Sequence, residues 1–272
     1  MGMLDVMQIF GRAGRPQFDK SGEGIIITTH DKLAHYLRLL TNQLPIESQF
    51  ISSLKDNLNA EIALGTVTNV REASAWLGYT YLLIRMTSNP LVYGMVWDEV
   101  LADPSLSVRK RALITDAARS LDKAKMIRFD EKSGNFYGTE LVRIASHFYI
   151  QYVSVETYNE MLRQHMSDSE LINLVAHSSE FDNIMVREEE QHELETLRHK
   201  SCPLKVRGGH EDKYGKISIL IQEYMSHGSF ESFSLVADAN YISQSLGRIM
   251  RVLFDICLRR EWCTMTTLFL EY

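Results

Sequence analysis

The sequence predicts a mainly α fold with small β elements. Apolar residues recur at three- and four-residue spacing through most of the chain, and cap signatures punctuate those runs. Strand-like stretches are confined to 24–29 and 126–137. At 272 residues, with 45% hydrophobic and 24% charged content, the chain has material for two or three small domains around real cores.

Taken in order, Gly24-Ile25-Ile26-Ile27-Thr28-Thr29 is a glycine-bounded β-branched run that reads as a buried strand, and Asp31 caps a helix running to Leu40. Pro45-Ile46-Glu47-Ser48-Gln49-Phe50 opens a second region, in which Phe50, Leu54, Leu58 and Ile62 form a helical face ended by Gly65. Asn69 with Glu72 three residues later is an N-cap signature, and Trp76, Tyr79, Leu83 and Met86 extend one apolar face to Asn89-Pro90. Residues 105–125 read as a helix carrying Arg109, Lys110, Arg111, Arg119, Lys123 and Lys125. These spread around its surface and are interrupted by Asp116 and Asp122, so a solvated face is the expectation, ahead of insertion into a nucleic-acid groove. Met126-Ile127-Arg128-Phe129, a turn over 130–134 and Asn135-Phe136-Tyr137 then predict a hairpin, and helices followed by a small hairpin make a winged helix.

From Ser154 onward the pattern is helical almost throughout. Ser167 to Glu170 is a capping box. Glu188, Glu189 and Glu190 open another helix as solvated acids favoured by the helix dipole, and 200–213, with Pro203, Gly208 and Gly209, reads as a flexible loop. Residues 234–260 form the longest helix. Leu246, Ile249, Met250, Leu253 and Cys257 make its apolar stripe, while Gln244, Arg248, Arg251 and Asp255 fall on another face. On periodicity alone that polar row faces water.

The most informative run is at the N-terminus. Gln8, Arg12 and Arg15 surround Gly11 and Gly14, which remove side chains where the backbone turns tightly, and two guanidiniums three residues apart can converge on one anion. Pro16 stops the preceding helix. The pattern suits a polyphosphate. Gln8 to Arg15 reads Q-x-x-G-R-A-G-R and continues as Pro16-Gln17-Phe18-Asp19, which resembles motif VI of the Ski-type superfamily 2 helicases. The resemblance extends through Leu58-Asn59-Ala60-Glu61-Ile62 to Val67, Gly134 to Tyr149, Gly215-Lys216-Ile217 to Gln222, and Ser232 to Trp262.

That resemblance implies three parts: the C-terminal remnant of a second RecA-like α/β domain at 1–41, a winged helix at 42–152, and a truncated helical ratchet domain at 153–272. It implies that Gln8, Gly11, Arg12, Gly14 and Arg15 line a nucleotide cleft, the arginines reaching the γ-phosphate of ATP held by another domain. It also implies that Gln244, Arg248 and Arg251 touch a translocating single strand. The full-length parent would be a 3′-to-5′ helicase using ATP and Mg²⁺, acting in DNA repair, ribosome quality control or nuclear RNA unwinding. Its partners would be single-stranded or unwinding DNA or RNA, the remaining helicase domains and other subunits of a multiprotein complex, in nucleus and cytoplasm, with no membrane. This chain alone is expected to be inactive and to bind no nucleotide tightly. After Trp262 the family continues differently, so the run Cys263 to Tyr272 reads as the end of a fragment, a truncated isoform or a partial gene model. The rival reading is a non-enzymatic nucleic-acid or protein docking module. A winged-helix transcription regulator is weaker, since it leaves Gln8 to Arg15 without a role.

Other classes are excluded by absence from the sequence. A net charge of −6 argues against a surface that is basic throughout. Cys202, Cys257 and Cys263 form no C-x-x-C pair and read as reduced thiols, no apolar run approaches a bilayer span, and Val6 stands where myristoylation of Met1-Gly2 wants Ser or Thr. Gly209 to Gly215-Lys216 is one residue too long for a Walker A loop and is followed by Ile217. Asp98-Glu99-Val100-Leu101 fails as an Asp-Glu-x-His box, and neither His30 with His35 nor His192 with His199 has the spacing of a zinc site, so no metal is expected. A G-x-S-x-G elbow is missing too.

Overall fold

In the computed structural model, residues 3–15, 17–41, 46–200 and 202–271 are described. Met1-Gly2, Pro16 and Pro45, read above as the myristoylation context, a helix stop and the opening of the second region, lie outside them. The N-terminal part holds α1 (Met3–Phe10) and α2 (His30–Leu40). Between them the expected strand is not formed: 21–29 has no regular structure, and Ile25 and Ile27 are 79% and 95% exposed. A strand is stabilised by its ladder partners, and none lies beside this run among the described residues. Asp31 sits inside the first turn of α2.

The next helix, α3 (Phe50–Leu64), ends as expected at Gly65, whose φ of 76° gives the left-handed cap. Asn69 caps α4 (Val70–Leu77), its side chain accepting from Glu72 N at 2.9 Å. The continuous apolar face from Trp76 to Met86 is broken. The chain turns at Gly78 and restarts as α5 (Tyr81–Ser88), so Ala73, Leu77, Leu82 and Met86 are buried while Tyr79 is fully in solvent. Then follow α6 (Trp97–Ala102), α7 (Ser107–Lys123), β1 (Ile127–Asp130) and β2 (Asn135–Gly138). The two strands pair antiparallel with Ile127 opposite Gly138 and Asp130 opposite Asn135. Phe136 N donates to Thr68 O and Val70 N to Gly134 O, both at 2.8 Å, so the segment before α4 is laced to the hairpin as in a winged helix.

The second half is helical, as expected: α8 (Glu140–Phe148), α9 (Tyr152–Met161), α10 (Asp168–Ala176), α11 (Gln191–Lys200), α12 (Lys213–Met225), α13 (Phe233–Arg259) and α14 (Cys263–Glu271). Ser167 N donates to the Glu170 carboxylate at 3.0 Å in the expected capping box. Helix α8 packs against α3 on one side and α13 on the other, and one apolar core runs through both halves. The loop read as flexible is tied down over 202–212. Gln222 bonds both Leu204 N at 2.9 Å and Leu204 O at 3.3 Å, Arg207 pairs with Glu170 at 2.9 Å, and Val206 is buried. All three cysteines are free, and burial pushes the Cys257 thiol up to about 11. No described helix is long and apolar enough to cross a membrane.

Candidate functional site

At the end of α1 the chain folds into a tight loop around the two arginines. Gly11 N and Arg12 N bond Met7 O at 2.9 Å and Ile9 O at 3.0 Å, and Gly14 takes φ +84°, a conformation that side chains strain to adopt. The backbone then doubles back so closely that a Cβ on Gly22 would sit 2.3 Å from Ala13 O. Asp19 fixes the far side, its Oδ2 accepting from Arg15 N at 2.9 Å. This local framework leaves Gln8, Arg12 and Arg15 exposed, and neither arginine has an ion-pair partner among the described residues. They are free to meet an anion.

The second candidate is α13. Its row is partly engaged: Gln244 and Arg251 are exposed, Arg248 and Asp255 half-buried. Arg248 Nη1 donates to Tyr149 O at 3.1 Å at the end of α8, and Nη2 to Ser245 Oγ at 3.1 Å. Arg251 stands at the edge of a largely apolar cleft of about 560 Å³ between α10, α12, α13 and α14. The motif loop and the row therefore stand on separate elements, and no hydrogen bond or ion pair joins them among the described residues.

Comparison with known proteins assigns both halves. Residues 47–131 match the model described as "Winged Helix-turn-helix domain", and residues 138–272 match the "Sec63 Brl domain" model. The chain is 77% identical over its whole length to the DExH-box ATP-dependent RNA helicase DExH14 of Arabidopsis thaliana, of which it covers 13%. It is 57% identical, over 98% of its length, to the human activating signal cointegrator 1 complex subunit 3, and 49% identical, over the same share, to the human U5 small nuclear ribonucleoprotein 200 kDa helicase. It covers 12% of each of those two proteins. The chain carries two segments of a Ski-type helicase.

Within the Sec63 Brl segment of this Ski-type chain lies a group that sequence reasoning misread. Glu190, expected to be solvated, is fully buried, and so is Lys216. Lys216 Nζ donates to Glu190, to Asp238 Oδ2 at 2.7 Å and to Met185 O at 2.9 Å, while Arg187 bridges Glu190 and Asp238 from the outer side. Burial raises the pKa of Glu190, but hydrogen bonds from Lys216, Ser234 and Arg187 outweigh it and hold the carboxyl below its ordinary value. The cluster joins α12 to the first half of α13 and so positions the helix that bears the polar row. The only sequence signal for it was Gly215-Lys216, set aside above because its spacing fails as a Walker A motif.

Proposed function

We propose that the chain is part of an ATP-dependent 3′-to-5′ helicase, supplying an arginine pair to a nucleotide cleft and a strand-contacting row on α13, and that alone it neither hydrolyses ATP nor unwinds. The observation that carries this is the loop, tightened at Gly14 and Gly22, on which Arg12 and Arg15 are exposed without an ion-pair partner among the described residues. The donor set fits a triphosphate: two guanidiniums and the Gln8 amide, with no carboxylate paired to the guanidiniums among the described residues. A nucleotide with its Mg²⁺, held by the rest of the parent, would supply the phosphoanhydride. Arg12 and Arg15 would neutralise charge that develops on its oxygens, and Gln8 would orient the attacking water.

The partners that follow are a DNA or RNA strand, the remaining helicase domains and further subunits of a complex, and the setting is nucleus and cytoplasm. Two of the relatives' names, a complex subunit and a nuclear ribonucleoprotein helicase, support this. In the parent, Arg15→Ala is expected to leave folding unchanged and to cut ATP turnover by on the order of 10³-fold. Wild-type turnover in that variant would overturn the assignment.

A further inference from the structure

The winged helix holds a second cationic site, on the opposite half of the chain from the α13 row. A groove of about 590 Å³ runs between the start of α4, the start of α7 and the hairpin turn. Arg71, Lys110, Arg111 and Lys132 line it, and no carboxylate does. In a chain of net charge −6 that concentration is against the general balance.

Arg109, in the same turn, donates to Tyr93 O at 3.0 Å, and the cations toward the C-terminal end of α7 are neutralised. Arg119 is paired with Glu131 at 2.6 Å and with Asp116, and Lys123 with Glu156 at 2.7 Å. None of the four groove cations has an ion-pair partner among the described residues. The nearby Asp130 is turned to the hairpin, where it accepts from Lys132 N at 3.0 Å and Ser133 Oγ at 2.6 Å. The basic face of α7 is therefore divided, ion-paired at its C-terminal end and without an ion pair at Lys110 and Arg111 among the described residues.

The wall of the groove carries one orphaned polar group. The Ser74 hydroxyl, against the same groove, is buried with no hydrogen-bond partner among the described residues. Helical serines and threonines elsewhere in the chain, such as Thr87 and Ser120, bond back to a carbonyl one turn earlier. A buried hydroxyl left unpaired costs free energy.

We propose that this groove binds the sugar–phosphate backbone of a nucleic acid, as a contact additional to the row on α13. Four cations drawn from three elements make an open channel suited to successive phosphates, where a single phosphoryl group would call for one convergent clamp. The contact is sequence-independent, since lysine and arginine on phosphates position a strand without reading its bases.

The test is fluorescence anisotropy of labelled single-stranded and duplex RNA and DNA with the 272-residue chain over a range of salt. A Lys110→Ala, Arg111→Ala, Lys132→Ala variant is expected to lose about tenfold or more in affinity. The slope of log K against log salt should shallow by roughly 2, close to 0.7–0.9 per phosphate contact removed. The Lys110→Arg, Lys132→Arg variant, which keeps the charge, should bind as wild type, so a loss caused by misfolding is separated from a loss of contact. Unchanged affinity and slope in a folded triple variant would overturn the proposal. So would preferential binding of a phosphorylated or polyglutamate peptide that the same substitutions abolish, which would make the groove a protein-docking site. Loss confined to Arg248→Ala, Arg251→Ala would leave the helicase reading standing while removing this one.

Discussion

At Glu47 four donors converge on one carboxylate. Arg85 reaches it through Nη2 at 2.9 Å and Nε at 3.2 Å, and Asn89 Nδ2 and Tyr93 OH each at 2.8 Å. The Arg85 hydrogen bonds, helped by those of Asn89 and Tyr93, outweigh the opposing effect of burial and bring its pKa down to about 2. Because the folded-state value lies below the ordinary one of 4.5, the group stabilises the fold fully above that pH, and the contribution fades as pH falls toward 2. Glu47→Gln is expected to destabilise the chain by roughly 2 kcal/mol at neutral pH. The gap from wild type should close on acidification, as read by denaturant melts at several pH values. A constant gap would mean that shape, and not charge, holds the entry to α3. At this scale the placement of Arg12 and Arg15 on an exposed loop past a helix end was legible, because two glycines three residues apart interrupt the helix there. The return of Gly22 against Ala13 was not, since nothing local marks which glycine meets which backbone.

Among the elements, α13 was legible nearly to its ends, 234–260 against Phe233–Arg259, because a long 3.6-residue period with one apolar stripe has a single solution. What fixes it was hidden, because Glu190, Lys216 and Asp238 are far apart in sequence and each reads as a surface charge. The strand expected at 24–29 failed for the converse reason: β propensity is local, but pairing is not. Lys216→Met removes the ammonium and leaves Glu190 and Asp238 facing each other with only Arg187 between them. That is expected to cost about 3–5 kcal/mol, visible as a large fall in the urea midpoint. Substituting Glu190→Leu in addition should recover part of it. On the row, Arg251→Ala is expected to change stability by no more than about 0.5 kcal/mol, being solvent-facing. Arg248→Ala, which gives up the bond to Tyr149 O, should melt lower. In the parent both should weaken unwinding and single-strand binding; normal unwinding by the double variant would return the row to the solvated reading.

For the whole molecule, the winged helix and helical bundle could be read from caps, glycines and one hairpin. Their fusion into one core through α8 could not, because nothing local says that α3 and α13 both pack against the same short helix. The chain offers arginines for a phosphate but neither a P-loop nor an acidic box to bring one. Purified alone it is expected to release no phosphate from ATP, with or without single-stranded nucleic acid. Activity that tracks the protein and vanishes in Arg12→Ala would contradict this.

The Lys216 cluster lies near one end of α13, ahead of the row at Gln244 to Asp255. A strand dragged across that row would load the helix along its length, and the two kinds of fastening would respond differently. Apolar side chains can slip by a methyl group and regain most of their contact, whereas an ammonium pulled from its carboxylates in a dry interior loses attraction steeply with distance. The two ends of the helix are fastened differently: the buried Lys216 cluster holds the first, while Arg260 Nη2 on Asn159 Oδ1 at 2.6 Å and Arg248 on Tyr149 O hold the second nearer the surface. A variant with the buried cluster removed should creep under force before it unfolds.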